Sequence, residues 1–228
     1  ALNGHTCYPE PELSGQTSSE LRIHPDVIAG ALQQLRRDRL VKAMEPEEGN
    51  QQPTLIARPR FYYAEQRIAE NFTRILNTKG FTDFPDPAPL IAEQEQRQKL
   101  RLDPIQREAV EAALQHKVLI ITGGPGTGKT TIIRFILMLL RPHIPAIALA
   151  APTGRAAKRL AEATGAGAST IHRLLEANNF GFQRNRDEPL EQELLVLDES
   201  SMIDTLLMDS LLDAIPSQSR LVLVGDVD

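Results

Sequence analysis

Two short stretches carry residue types that can do chemistry on a phosphate. The first reads Gly123-Gly124-Pro125-Gly126-Thr127-Gly128-Lys129-Thr130 and fits the spacing G-x-x-x-x-G-K-[ST] at every fixed position. Glycines let successive backbone N–H groups curl around a phosphate with no side chain in the way, and a following helix adds the positive end of its dipole. Lys129 is placed to reach the β- and γ-phosphates of a nucleoside triphosphate, and the Thr130 hydroxyl is a hard oxygen suited to Mg²⁺. The second stretch, Leu194-Leu195-Val196-Leu197-Asp198-Glu199, ends four apolar residues in two acids. Carboxylates at the end of a buried strand are costly unless they meet a cation. With Mg²⁺ as that cation, Asp198 holds the metal directly or through water, and Glu199 orients and deprotonates the water that attacks the γ-phosphate.

Both stretches need a scaffold that presents them at one edge. The apolar run Val118 to Ile121 precedes the glycine loop, and a nearly all-apolar run to Leu140 follows it, which predicts strand, loop and helix with no spare residues. The same grammar recurs from Ala146 to Ala151, ending in Pro152-Thr153-Gly154-Arg155-Ala156-Ala157-Lys158. If the sheet is parallel, that turn lies at the edge where ligands bind, and Thr153 and Arg155 can contact a phosphate backbone. A helix start is predicted at Ser169-Thr170, followed by Ile171, Leu174 and Leu175, with Thr170 and His172 at or near it. His172 suits a hydrogen-bonding or DNA-contacting role and equally suits an ordinary surface histidine. Arg220 to Asp226 reads as a further buried strand whose terminal acid can sense a γ-phosphate or DNA.

Upstream of the loop, Asp103 is a good N-cap and Pro104 a good first helical residue, with Ala109, Val110, Ala113 and Leu114 on the buried side. Gln106 faces away from that stripe. Its amide matches the donor and acceptor edge of adenine, although position alone makes it a solvated surface residue. These elements predict an α/β lobe over 102–228, a P-loop parallel sheet flanked by helices.

A smaller α+β module is predicted over 1–78. Pro25 opens a helix with Val27, Ile28, Ala31, Leu32 and Leu35 in one stripe, ending near Arg39. Leu40 to Met44 and Thr54 to Ala57 are strand candidates joined by the turn-forming EPEEGNQQP, and a helix from about Tyr62 to Leu76 follows. Helices before a β-hairpin suggest a winged-helix-like module, which either binds DNA or braces its neighbour. Between them, 79–101 holds Pro85, Pro87 and Pro89 in alternation and reads as a stiff extended linker.

Composition sets the outer bounds. A chain of 228 residues with 41% hydrophobic and 24% charged residues is ordinary globular protein, large enough for one large domain or two modest ones. There is no run of eighteen apolar residues and no basic-then-apolar leader, so the expectation is a soluble, cytoplasmic protein with no membrane partner. The single cysteine, Cys7, suits a reducing compartment. Although the net charge is −5, seven Lys/Arg face two acids between Arg141 and Arg186, a local excess that fits either a nucleic-acid path or a solvated helix face. The chain opens on Ala1 and closes on Asp228 just past a strand, and both ends read as cuts in a longer protein.

The segments LDPIQREAV, GGPGTGKTT, APTGRAAKRL, STIHRLL, VLDESSMID and RLVLVGDVD stand in the order and approximate spacing of superfamily 1 helicases. The set resembles the RecD-like branch, densely over 102–228, and 1–78 is similar to the small module that precedes the motor there. The resemblance implies a RecA-like lobe of a DNA-dependent ATPase moving 5′ to 3′ on single-stranded DNA, with ATP and Mg²⁺ as cofactors. It implies that Gln106 reads adenine and that Gly124, Pro125, Gly126, Thr127, Gly128, Lys129, Thr130 and Thr131 hold the phosphates. It gives Thr130 and Asp198 to the metal, and Lys129, Asp198 and Glu199 to catalysis. Pro152, Thr153, Gly154, Arg155, Thr170 and His172 line the DNA path by the same carry-over. Partner subunits of a recombination nuclease are a further implication. The family's glutamine after GDVD and its second motor lobe lie outside this sequence, and an arginine supplied in trans is worth about 10³ to 10⁵ in rate, so weak binding and poor hydrolysis are expected of the chain alone. Two other readings stay open: a different P-loop ATPase such as a loader or switch, and a non-catalytic module that docks DNA or a partner.

Overall fold

Short apolar runs between turn signals are what a parallel sheet covered on both faces requires, because each strand end must escape the sheet through a helix. The structure, a computed structural model, describes residues 5–46, 50–80 and 86–226. By contacts the chain divides into two units, Ala1–Ala69 and Glu70–Asp228.

In the first unit, β1 (Cys7–Pro9), β3 (Leu55–Ala57) and β2 (Lys42–Met44) form an antiparallel sheet in that order, with Cys7 and Lys42 both opposite Ala57. Helices α1 (Glu10–Leu21) and α2 (Pro25–Arg37) lie between β1 and β2 in sequence. Ile28 and Leu32 of α2 and Ile56 of β3 make the small core, with Leu13, Val41 and Ala43 against it. Leu13 lies on α1, which the sequence reading did not find, since its apolar residues mark no stripe. Residues 47–49 of the expected hairpin turn fall outside the described ones. Thr54 Oγ1 donates to Glu45 Oε2 at 2.6 Å across the base of that connection. Helix α3 (Pro59–Asn77) carries the chain past the division at Ala69.

The second unit is built on β4 (Val118–Thr122), β5 (Ile147–Ala151), β6 (Ala168–Thr170), β9 (Leu194–Leu197) and β10 (Arg220–Gly225). Their spatial order is β4-β10-β9-β5-β6 and every pairing is parallel. Register is close: Val118 to Thr122 pair with Leu221 to Gly225, and Leu194 to Leu197 pair with Arg220 to Leu223 on one side and Ile147 to Ala150 on the other. The central strands β9 and β10 are buried throughout, which accounts for their unbroken apolar character.

Helices α4 (Ala88–Gln98), α5 (Pro104–Gln115), α6 (Lys129–Leu140), α7 (Gly154–Thr164), the one-turn α8 (Ile171–Leu174) and α9 (Thr205–Ala214) complete this lobe, with a 3₁₀ turn at Ser200–Met202. An α-helix apolar all round must be enclosed. Helix α6 is so enclosed except at Thr130 and Arg134, and its Ile133 and Ile136 meet Val110 and Leu114 of α5 and Val196 and Val222 of the sheet in one core. Each such side chain contributes about 1.5–3 kcal/mol by leaving water.

Two elements differ from the sequence expectation. The extended linker over 79–101 instead contains α4 from Ala88, while Pro85 of the alternating prolines falls outside the described residues. Pro87 is the N-cap and Pro89 stands in the first turn, where backbone N–H groups lack intrahelical partners anyway, so neither opposes the helix. The helix expected from Ser169 begins at Ile171, because Ala168 to Thr170 add a strand beside Leu149 to Ala151.

Candidate active site

Parallel strands deliver all their carboxyl ends to one edge, and five of the stretches singled out for chemistry leave the sheet there. Strand β4 runs into the glycine loop, β9 into Asp198 and Glu199, β10 into Asp226, β5 into Pro152 to Arg155, and β6 into Thr170.

The loop needs its glycines for backbone reasons. Gly126 and Gly128 have φ of +78° and +84°, a region that L-residues with a Cβ avoid. A Cβ on Gly128 would lie 2.3 Å from Gln106 Nε2, and one on Gly123 would lie 2.8 Å from Thr127 Oγ1. Thr127 Oγ1 donates to Gly124 O at 2.9 Å, folding the loop on itself. Pro125, Gly126, Thr127 and Thr130 are exposed, while Gly124, Lys129 and Thr131 are half-buried.

Gln106 is engaged rather than merely solvated. Asp103 Oδ1 accepts from Gln106 N at 2.9 Å, and Gln106 Oε1 accepts from Asp103 N at 3.3 Å, a reciprocal capping box at the start of α5. Its Nε2 then donates to Thr127 O at 3.1 Å. The helix cap therefore holds the amide against the loop, beside a groove of about 600 Å³ that Gln106, Gly123, Thr127 and Lys129 help to line.

Three charges converge beneath the loop. Lys129 Nζ donates to Gly124 O at 3.0 Å, to Gly123 O, and to Asp226 Oδ1 at 2.5 Å. Burial pushes the Asp198 carboxyl above the usual carboxylate range; the Glu199 N–H and Lys129 pull it back, and Asp226 raises it further. That N–H donates to Asp198 Oδ1 at 3.0 Å. Glu199 itself has a φ of +55°, a strained turn for a residue with a Cβ, which swings the chain from β9 into the 3₁₀ turn. Hard carboxylate and hydroxyl oxygens at Asp198 and Thr130 are the donor types that Mg²⁺ takes, and the half-buried Asp198 carboxylate is a charge that a cation would satisfy.

Farther along the same edge, Thr153 caps α7 by accepting from Ala156 N at 3.2 Å, leaving Gly154 and Arg155 exposed and Pro152 half-buried. Thr170 caps α8 in the same way, accepting from Arg173 N at 3.1 Å. His172 is exposed, its ring 5.6 Å from that of Phe182.

Phe182 belongs to a hairpin that sequence reading missed, β7 (Ala177–Asn178) paired antiparallel with β8 (Gly181–Phe182). At its turn Phe180 is 99% exposed, and its N–H donates to Asn178 Oδ1 at 2.8 Å. The asparagines before Phe180 and the glycine after it were the available signal. Asp226 was singled out in sequence only as a sensor; its pairing with Lys129 spans 97 positions and left no local trace.

Comparison with known proteins adds a lineage to this geometry. Residues 106–228 match the AAA domain family. The ATP-dependent RecD2 DNA helicase of Deinococcus radiodurans is 37% identical over 175 residues, covering 75% of this chain and 23% of that protein. The RecBCD enzyme subunit RecD of Mycolicibacterium smegmatis is 35% identical over 195 residues, covering 74% of this chain and 34% of the relative. The ATP-dependent DNA helicase dda of Enterobacteria phage T4 is 38% identical over 114 residues, covering 46% and 26%. The chain thus spans between 23% and 34% of the length of these relatives.

Proposed function

Because the chain belongs to the AAA domain family, with RecD and RecD2 proteins among its relatives, we propose that it is the nucleotide-binding lobe of an ATP-dependent DNA helicase. In this reading the full-length protein couples Mg²⁺-ATP hydrolysis to 5′ to 3′ movement on single-stranded DNA. The observation that carries it is the convergence of Lys129, Asp198 and Asp226 beneath a glycine loop at one sheet edge.

Each residue then has a task. Backbone N–H groups from Gly124 to Thr131 cradle the phosphates, Lys129 neutralises the β- and γ-oxygens, and Gln106 offers its amide to the adenine. Thr130 and Asp198 would hold Mg²⁺, which would supply charge neutralisation to the phosphate oxygens. Glu199 positions the attacking water and takes its proton onto the carboxylate. Water adds to the γ-phosphorus as the bond to the bridging oxygen breaks, and ADP leaves with inorganic phosphate.

The DNA path runs over the two helix caps, where the exposed Thr153, Arg155 and His172 and the half-buried Thr170 offer phosphate contacts, with Pro152 and Gly154 shaping the turn. No described helix is long and apolar enough to cross a membrane. One relative's name, RecBCD enzyme subunit, supports other subunits of a recombination nuclease as partners.

The test is ATP hydrolysis by the full-length protein with and without single-stranded DNA. Strong stimulation is expected, abolished by Glu199→Gln. Hydrolysis indifferent to DNA would replace this reading with a different P-loop ATPase.

A further inference from the structure

An ammonium group has three N–H donors, and those of Lys129 are all committed: to Gly123 O, Gly124 O and Asp226 Oδ1. None is left for a phosphate. Two of the partners are neutral carbonyls of the loop itself. The third is a carboxylate from the end of a different strand, and it is the more accessible side of the ion pair, with a side chain 41% exposed against 18% for Lys129. A terminal phosphate offers the same kind of partner, an anionic oxygen, with more charge and three such oxygens.

We propose that Asp226 is a placeholder for the γ-phosphate: its carboxylate pairs with Lys129, and the terminal phosphate of a nucleoside triphosphate displaces it. The inference rests on the nucleotide reading of the loop and adds to it a device that detects the third phosphate.

The displaced strand end has somewhere to send its movement. Gly225, the residue before Asp226, packs so closely on the 3₁₀ turn that a Cβ there would lie 2.8 Å from Ser200 Oγ and 3.0 Å from Ser201 N. That turn begins directly after Glu199, whose backbone is held at a φ of +55°. A shift of Asp226 away from Lys129 therefore presses on or releases the segment that aims Glu199. Through this contact the third phosphate and the position of the Glu199 carboxylate become one event. Asp226 acts here as a positioning residue.

Asp226→Asn keeps the shape and removes the charge. A non-hydrolysable ATP analogue and ADP are titrated into the wild-type chain, Asp226→Asn and Lys129→Ala, with an unfolding midpoint measured for each. The expected result is about three- to fivefold tighter binding of the triphosphate by Asp226→Asn, the scale of one half-exposed ion pair that no longer has to be broken, with ADP affinity within about twofold of wild type. Unchanged or weaker triphosphate binding with the midpoint retained would overturn the placeholder. Should the asparagine lower the midpoint, Asp226→Ser is read by the same criterion. Wild-type binding that Lys129→Ala leaves intact would instead remove the nucleotide reading, and the placeholder with it.

Discussion

Two lysines stand at opposite ends of the same strand and live in opposite ways. Lys117 precedes β4 at the amino edge of the sheet, and its Nζ donates to Ile75 O, Thr78 O and Ser217 O at 2.5, 2.6 and 2.6 Å. Lys129 follows β4 at the carboxyl edge, and one of its three partners is the carboxylate of Asp226. Backbone carbonyls cannot leave without unfolding a helix end or a turn. A half-exposed aspartate can. A cation surrounded by fixed acceptors serves the fold, while a cation with one releasable anion is ready for a ligand.

The amino edge repeats the first pattern. Arg74 donates to Leu212 O and Ile215 O at 2.9 and 2.8 Å, and the buried Arg220 donates to His116 O at 3.0 Å. These carbonyls belong to the ends of α9 and α5 or the residues just after them, where helices leave acceptors unsatisfied and carry partial negative charge. Burial, then the charges of Arg220 and Arg74, lower the pKa of Lys117, so this edge tolerates like charges in exchange for closing its carbonyls. At the carboxyl edge the cost runs the other way, in the positive φ of Glu199 and in the raised pKa of Asp198.

The sharpest way to break the contrast is Lys117→Met. It should lower stability by about 2–3 kcal/mol in urea unfolding, because half-buried carbonyls lose their donor, while the folded protein keeps its nucleotide affinity. A loss of affinity with full stability would show that the amino edge is no mere closure. A smaller effect of opposite sign is expected at the carboxyl edge from Asp198→Asn. Removing a charge that burial penalises should raise the unfolding midpoint by about 1–2 °C near neutral pH, while hydrolysis is lost. The sign follows from linkage. Since the folded-state pKa of Asp198 is raised, its favourable contribution is present below the ordinary carboxylate pKa and is lost as pH rises through the folded value. The gain from asparagine should therefore shrink to nothing on acidification. A gain that grew at low pH would contradict the raised pKa.

What the sequence revealed follows the same division. The glycine loop and the acids after β9 were legible, because their chemistry fixes residue types at short spacings. The amino-edge cations were not, since Lys117 finds carbonyls 42, 39 and 100 positions away and the sequence there is featureless. Gln106 was visible as a helix residue facing outward, but its bond to Thr127 O joins two motifs that only the fold brings together. Helix α4 was hidden by prolines that look like breakers and lie where a helix has no use for the missing N–H. Strand β6 was hidden by its shortness, three residues recruited by a neighbour rather than by their own apolar pattern.

The most direct test of the central claim, that the carboxyl edge of this sheet is a nucleoside triphosphate site organised by Lys129, is a calorimetric titration of Mg²⁺-ATP into wild-type chain and Lys129→Ala. Saturable one-to-one binding weakened at least about 100-fold by the substitution, in a protein that still unfolds cooperatively, is the expected result, comparable to losing one preorganised donor in a closed site. Equal affinity in the two proteins would contradict it.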